Sequence, residues 1–282
     1  MKNPTHRQVA CFLEVCRDFH FSHAARRLGI AQPPLSRHIK ELEQLVGAPL
    51  FVREGRRIEL TPAGTAFLKE VYSLPAMLGR GVEAARRAAT GEASLLRIGF
   101  VGALMSEELF EAFETFRAQR SDTQLGLLDL APAALVKQVE AGEIDGGFLG
   151  VTPKELPKGV EALAWREEPL QVCLPRGHRL EGRKRARVPD LSNEALITLS
   201  QSVAPSYRAY LDTVFEANGE RAPLARESNT AAGMLSMVVA GCGVALLPRS
   251  ALRGAEGRIT AIPLAARQAL LKQAFLYRRD HS

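Results

Sequence analysis

The sequence predicts an α/β chain in three parts: a small helical head closed by a β-hairpin, a long linker helix, and a two-lobed α/β body. Three observations predict it. Residues 21–51, "FSHAARRLGIAQPPLSRHIKELEQLVGAPLF", hold two helical patterns joined at a single glycine. From Pro62 to about Ala89, apolar residues recur at steps of three and four. Beyond residue 94, strand-like apolar runs alternate with helical ones, the βαβ rhythm of a parallel sheet. A length of 282 residues accommodates about two domains and a sizeable core.

In the head, Ala25 and Gly29 are four apart. The small residue lets two helices approach, and the glycine supplies the positive φ that ends the first of them. Leu28, Ile30, Leu35 and Ile39 would bury the pair against Phe12, Leu13 and Val15 of a preceding helix. Pro33 and Pro34 mark the start of the second helix, near Gln32, because N–H groups in a first turn have no intrahelical partner. The result is a helix-turn-helix whose second helix carries Gln32, Pro33, Pro34, Ser36 and Arg37 in or beside its first turn. Such a turn enters the major groove of DNA, where Gln can read adenine, Arg can read guanine, and Ser can serve base or phosphate. "LFVREGRRIELT" then predicts a hairpin, Phe51–Val52 against Ile58–Leu60, with Arg53, Arg56 and Arg57 at its tip to hold backbone phosphate. A solvated basic surface on an ordinary helix pair is the plainer alternative for each feature taken singly.

Thr61 caps the next helix with Pro62 at its first position, and Pro75 is expected to kink that helix or remove one of its hydrogen bonds. Its stripe, Val71, Leu74, Leu78, Val82, Ala85 and Ala89, needs a partner. "ATGEASLL" predicts a hinge. The body follows: "LLRIGFVG", a helix from Ser106 to about Gln119, "TQLGLLDL", a helix from Pro132 to about Glu140, and "DGGFLGV"; then "PLQVCLP", "ALITLS", helices from about Pro205 to Asn218 and Ala231 to Ala240, and "GVALLP". Two α/β lobes result, and ligands of such sheets sit at strand C-termini beside helix N-termini.

Composition narrows the function classes. With 46% hydrophobic and 24% charged residues the chain reads as globular. No run of about 18 apolar residues exists, and the polar N-terminus has no signal-peptide pattern, so no membrane association is expected and the expected compartment is the cytoplasm. Net charge is +6, and residues 1–60 carry ten basic against six acidic side chains, so much of the excess lies in the head; that favours a polyanionic partner. Cys11, Cys16, Cys173 and Cys242 form no Cys-x-x-Cys pair, which argues for buried structural thiols and against a zinc site or disulfide framework. The alternative is a redox sensor at Cys173, with Arg176, His178 and Arg179 nearby to favour a thiolate. No metal, no cofactor and no catalytic constellation is read.

"FLEVCRDFHFSHAARRLGIAQPPLSRHIKELEQLVGAPLFVREGRRIELTPAG" resembles the LysR-type transcriptional regulators almost continuously, and "IGFVG", "GEIDGGFLG", "LPRGHRL" and "MVVAGCGVALLP" extend the resemblance over nearly the whole chain. The resemblance implies a winged helix-turn-helix (1–61), a linker dimerisation helix (62–89), a hinge (90–94) and an effector-binding domain (95–282) similar to periplasmic binding proteins. Lobe I is expected at about 95–163 and 264–282, lobe II at about 164–263. It implies a homodimer through the linker helix, assembled into a homotetramer, on an operator that is an interrupted inverted repeat, with RNA polymerase a further partner to consider. It makes "LPRGHRL" an ordinary strand-to-loop segment, which weakens the redox reading of Cys173.

The resemblance also implies an effector held by Val101, Gly102, Ala103 and Leu104 in one lobe and by Ser200, Gln201, Ser202 and Val203 in the other, with Asn229 and Thr230 lining the same cleft. Backbone N–H groups and two serine hydroxyls suit a small organic acid, although Ser200 and Ser202 could simply cap a helix. Ala103 stands where many acid-binding relatives carry Ser or Thr, which leaves room for a less polar or larger effector. Two other classes explain less. A solute-binding protein accounts only for residues 95–282 and calls for a secretion signal, and an enzyme has no Ser/His/Asp, paired-carboxylate or phosphate-loop pattern behind it.

Overall fold

The computed structural model describes residues 3–54 and 57–279, with Arg53 and Glu54 described by their backbone alone. The chain divides into two compact units, 1–82 and 83–282.

In the first unit α1 (His6–Cys16) starts at a reciprocal cap in which Thr5 accepts from the Gln8 N–H and Gln8 Oε1 accepts from the Thr5 N–H. Helix α2 (Phe21–Arg27) ends as a Schellman motif. Gly29 takes φ 64°, its N–H reaches the Arg26 carbonyl at 3.1 Å, and the Ile30 N–H reaches the Ala25 carbonyl at 3.0 Å. Helix α3 (Gln32–Val46) begins with Pro33 and Pro34 in its first turn and ends at Gly47, φ 77°. Phe12, Val15, Ala24, Ala25, Leu35, Ile39 and Leu42 are buried together. Arg27 clamps α1 to α2, donating to Glu14 at 2.6 Å and to Asp18 at 2.9 Å. Its guanidinium, aided by His23, holds the Asp18 carboxyl well below the usual carboxylate range.

Strands β1 (Phe51–Glu54) and β2 (Arg57–Leu60) pair antiparallel, Phe51 opposite Leu60. Helix α4 (Pro62–Val71) is capped by the Thr61 hydroxyl, which accepts from the Gly64 N–H at 2.9 Å. A Cβ on Gly64 would stand 2.0 Å from the Leu50 carbonyl oxygen, so only glycine lets α4 lie this close to the hairpin. The helix expected over 62–89 is in fact two: α4 stops at Val71, whose side chain joins the core of the head, and α5 (Leu74–Thr90) starts afresh with Pro75 in its first turn, where a missing N–H costs nothing.

Phe19, between α1 and α2, adopts φ 53°. A side chain other than Gly or Asn costs about 1 kcal/mol or more in that region. Phe19→Asn is therefore expected to stabilise the head by about 1 kcal/mol, measurable as a higher denaturant midpoint with an unchanged slope.

The second unit has two lobes. Lobe I holds β3 (Ser94–Phe100), α6 (Glu107–Gln119, capped by Ser106), β4 (Thr123–Asp129), α7 (Pro132–Ala141) and β5 (Gly146–Leu149). Strand β6 (Val160–Pro175) runs from lobe I into lobe II, which holds β7 (Leu196–Leu199), α8 (Pro205–Glu216), β8 (Leu224–Ser228), α9 (Ala231–Val239), β9 (Val244–Pro248) and β10 (Ile259–Pro263). Strand β11 (Leu270–Arg278) returns to lobe I. The lobe I order is β4-β3-β5-β11-β6, and in lobe II β6 continues between β10 and β9, with β7 and β8 beyond. Pairs β3–β4, β3–β5, β7–β8 and β7–β9 are parallel, as the alternating pattern requires.

Leu135, Val139, Ile144 and Leu276 centre one core in lobe I; Phe113, Trp165 and Phe275 pack around Phe148 with centroids 4.8–6.0 Å away. In lobe II successive β6 residues face opposite cores, Val172 and Leu174 toward α8 and Cys173 toward α9. Burial pushes the Cys173 thiol up to about 12, and His178 and Arg179 are both drawn to Glu194 at 3.2 Å or less. The conditions for a reactive thiolate are therefore absent at Cys173.

Candidate functional site

The first surface is the start of α3. Gln32, Pro33, Pro34 and Arg37 are exposed and Ser36 is half-buried, all within the first two turns. Ala31, the residue before the helix, offers no side-chain cap. Arg37 extends into solvent, its side chain 80% exposed, and pairs with Glu41 one turn on at 2.8 Å. An exposed pair of this kind is weak, because water screens it, so the guanidinium is readily available to another anion. Gln32 is tethered across the turn, where its Oε1 accepts from the Ser22 hydroxyl at 2.9 Å. Of the hairpin arginines, Arg57 is exposed at the start of β2, Arg53 lies on β1 opposite Ile58, and Arg56 lies outside the described residues.

The second surface is a cavity of about 750 Å³ between the lobes, within the range of pockets that enclose drug-sized molecules. Val101, Ala103 and Leu104 line it from lobe I, and Gln201 lines it from lobe II. The other expected contacts are engaged elsewhere. The Gly102 N–H donates to Asp129 at 3.0 Å, and the Ser200 hydroxyl donates to Asn229 Oδ1 at 3.0 Å and lies 3.3 Å from the Ser202 hydroxyl. Thr230 caps α9 by accepting from the Gly233 N–H, and the Val203 carbonyl accepts from the Ala133 N–H of α7 at 3.0 Å, bridging the lobes.

Sequence reasoning missed the rest of the wall. Val136 and Lys137 of α7, Val151 to Glu155, and Tyr207, Tyr210 and Thr213 of α8 all line the cavity. The Tyr210 hydroxyl is buried without a hydrogen-bond partner among the described residues, and burial raises its pKa, so it stands as a neutral donor. The signal was present: Tyr207 and Tyr210 are three apart on a helix, a polar-tipped aromatic pair on one face.

A polar clasp joins the lobes beside the cavity. The Glu168 carboxylate accepts from the Ser250 N–H at 2.7 Å, from Gln273 Nε2 at 2.9 Å and from Arg166 at 3.0 Å, while the Ser250 hydroxyl reaches the Ala103 carbonyl at 3.0 Å. Among the described residues no group of three or more His, Cys, Asp or Glu could hold a metal ion, and no helix is long and apolar enough to cross a membrane.

A winged helix-turn-helix joined to a two-lobed, cavity-bearing α/β domain defines the class of ligand-responsive bacterial DNA-binding regulators. Comparison with known proteins specifies the family. Residues 6–65 match the bacterial regulatory helix-turn-helix protein, lysR family, and residues 89–282 match the LysR substrate binding domain. The chain is 31% identical over 277 residues to the transcriptional regulator AlsR of Bacillus subtilis (98% of this chain, 90% of that protein). It is 30% identical over 280 residues to the regulator IlvR of Caulobacter vibrioides (98% and 93%). The crystal structure of full-length CbnR with its target DNA shares the fold at a TM-score of 0.64 and 24% identity, covering 97% of this chain and 93% of that one. The chain belongs to the LysR family of transcriptional regulators: it is a DNA-binding regulator with a substrate-binding domain.

Proposed function

We propose that this regulator reads an interrupted inverted repeat in double-stranded DNA through Gln32, Pro33, Pro34, Ser36 and Arg37, with Arg53, Arg56 and Arg57 on phosphates, and that a small organic acid in the interlobe cavity modulates it. It acts in the cytoplasm as a homodimer through α5, assembled into a homotetramer. The division into reader (1–61), linker (62–89), hinge (90–94) and effector domain (95–282) belongs to the same reading. The observation that carries the effector assignment is a cavity walled by both lobes, because a ligand touching both stabilises one lobe arrangement over the other and can shift the assembly only by that difference.

The wall favours a particular acid. Most of it is apolar, including Val101, Leu104, Val136, Leu149, Val151 and Leu271, with Lys137 and Lys154 as its cations and the Tyr210 hydroxyl as a buried donor. An acid with a bulky apolar body fits this better than acetate or another small, fully hydrated anion; Gln201 serves a second polar group, joined by Ser200, Ser202, Asn229 and Thr230 at the neighbouring strand ends once they exchange their present hydrogen bonds for the ligand. Calorimetry of the full chain against aromatic, branched-chain and short aliphatic carboxylates tests this. The bulky acids are expected to bind, and Lys137→Ala with Lys154→Ala to weaken the best of them at least tenfold, since a charged hydrogen bond contributes about 1.5–3 kcal/mol. Equal affinity in the double variant, or preference for the shortest acids, overturns the assignment.

A further inference from the structure

The Ser22 to Gln32 hydrogen bond bears on how α3 reads DNA. Ser22 is the second residue of α2 and Gln32 the first of α3, so the bond spans the turn of the motif. The turn is fixed independently by the Gly29 and Ile30 backbone bonds and by the burial of Ala24, Ala25 and Leu35, which sets the distance between the two side chains. Pro33 and Pro34 have no N–H, which removes two backbone donors from this first turn and leaves its side-chain groups more of the contact. Among the described residues the Gln32 amide nitrogen has no partner, while its oxygen is turned toward α2.

A glutamine reads adenine when oxygen and nitrogen face the base together, the oxygen accepting from N6 and the nitrogen donating to N7. With the oxygen held by Ser22, the outward face of Gln32 is its NH2 group alone. Donors match base edges best where acceptors stand without a competing donor: N7 and O6 of guanine, or O4 of thymine, whereas adenine sets its N6 donor beside its one acceptor, N7. We infer that Ser22 is a specificity-determining positioning residue, which orients the Gln32 amide so that α3 reads guanine or thymine in preference to adenine at the base Gln32 meets. The inference rests on the reading of α3 as the recognition element and refines it.

The test uses the full-length chain. An operator is selected from random duplexes, and affinities are measured for all four bases at each half-site position with wild type, Ser22→Ala, Ser22→Thr, Gln32→Ala and the double alanine variant. Wild type is expected to favour guanine or thymine over adenine at one position by about tenfold, the scale of one good base contact. Gln32→Ala flattens that preference. Ser22→Ala, folded by circular dichroism, moves it toward adenine by threefold or more, Ser22→Thr retains it because the hydroxyl remains, and Ser22→Ala changes nothing further once Gln32 is alanine. If Gln32→Ala flattens the position while Ser22→Ala leaves the wild-type profile or weakens all four bases equally, the positioning role is overturned and the α3 reading stands. If Gln32→Ala alters no position, the readout by Gln32 fails and the inference fails with it.

Discussion

Phe12→Ala is expected to destabilise the head by about 3–5 kcal/mol, the usual cost of emptying a buried phenyl site that cannot collapse. Phe12 is fully buried, with its ring 5.2 Å from Phe51 of β1 and 5.1 Å from Phe67 of α4. Removing it takes away the group on which α1, the hairpin and α4 converge. The core that holds Phe12 is built from residues of the first unit, so the loss is expected to be felt there. The chain provides its own reporter for this: the single tryptophan, Trp165, lies in the second unit. Denaturation followed by circular dichroism is expected to show an early transition in Phe12→Ala that Trp165 fluorescence does not. One shared transition shifted equally in both signals contradicts two independently cooperative units.

Leu78→Asp is expected to make the chain monomeric and to lower operator affinity by a hundredfold or more. Leu74, Met77, Leu78 and Val82 recur along α5 at helical spacing and are 37–53% exposed. A second α5 is the surface that would bury them. The proposed dimer would hold two α3 helices about one DNA turn, roughly 34 Å, apart, and each half-site alone would bind weakly. Light scattering and titration of the full operator read both effects together. A Leu78→Asp chain that stays dimeric and binds normally contradicts the arrangement.

How much was legible in the sequence follows from where each signal resides. The turn at Gly29 and the start of α3 at Pro33 and Pro34 depend on backbone rules that act within a few residues, and they appear where those rules place them. The break before Leu74 was harder to place, because Pro75 fits both a kink and a fresh first turn, and burial of Val71 in the head decides between them. Only "PLQVCLP" betrayed β6, since its first half, pairing with β11 alone, carries Glu161, Arg166 and Glu167 in place of an apolar run.

In the cavity, Val101, Ala103 and Leu104 follow from the family resemblance, and they line the wall at the end of a first parallel strand, where ligands of such sheets commonly sit. Tyr207 and Tyr210 are legible as a pair on one helix face but not as cavity wall, because that depends on α7 and α8 facing each other across the lobes, which no local pattern encodes. Ser200 and Asn229 show the converse: polar groups suited to a ligand can also satisfy one another.

The central claim is that this chain reads DNA sequence and that a cavity ligand changes how it does so. Footprinting of the full-length protein on its selected operator, at fixed salt with and without the tightest-binding acid, tests both parts in one measurement. Protection of two half-sites about one turn apart, absent on scrambled DNA and altered in extent or spacing by the acid, is the predicted result. Equal protection of scrambled DNA, or a footprint that a cavity-bound acid leaves unchanged, would contradict it.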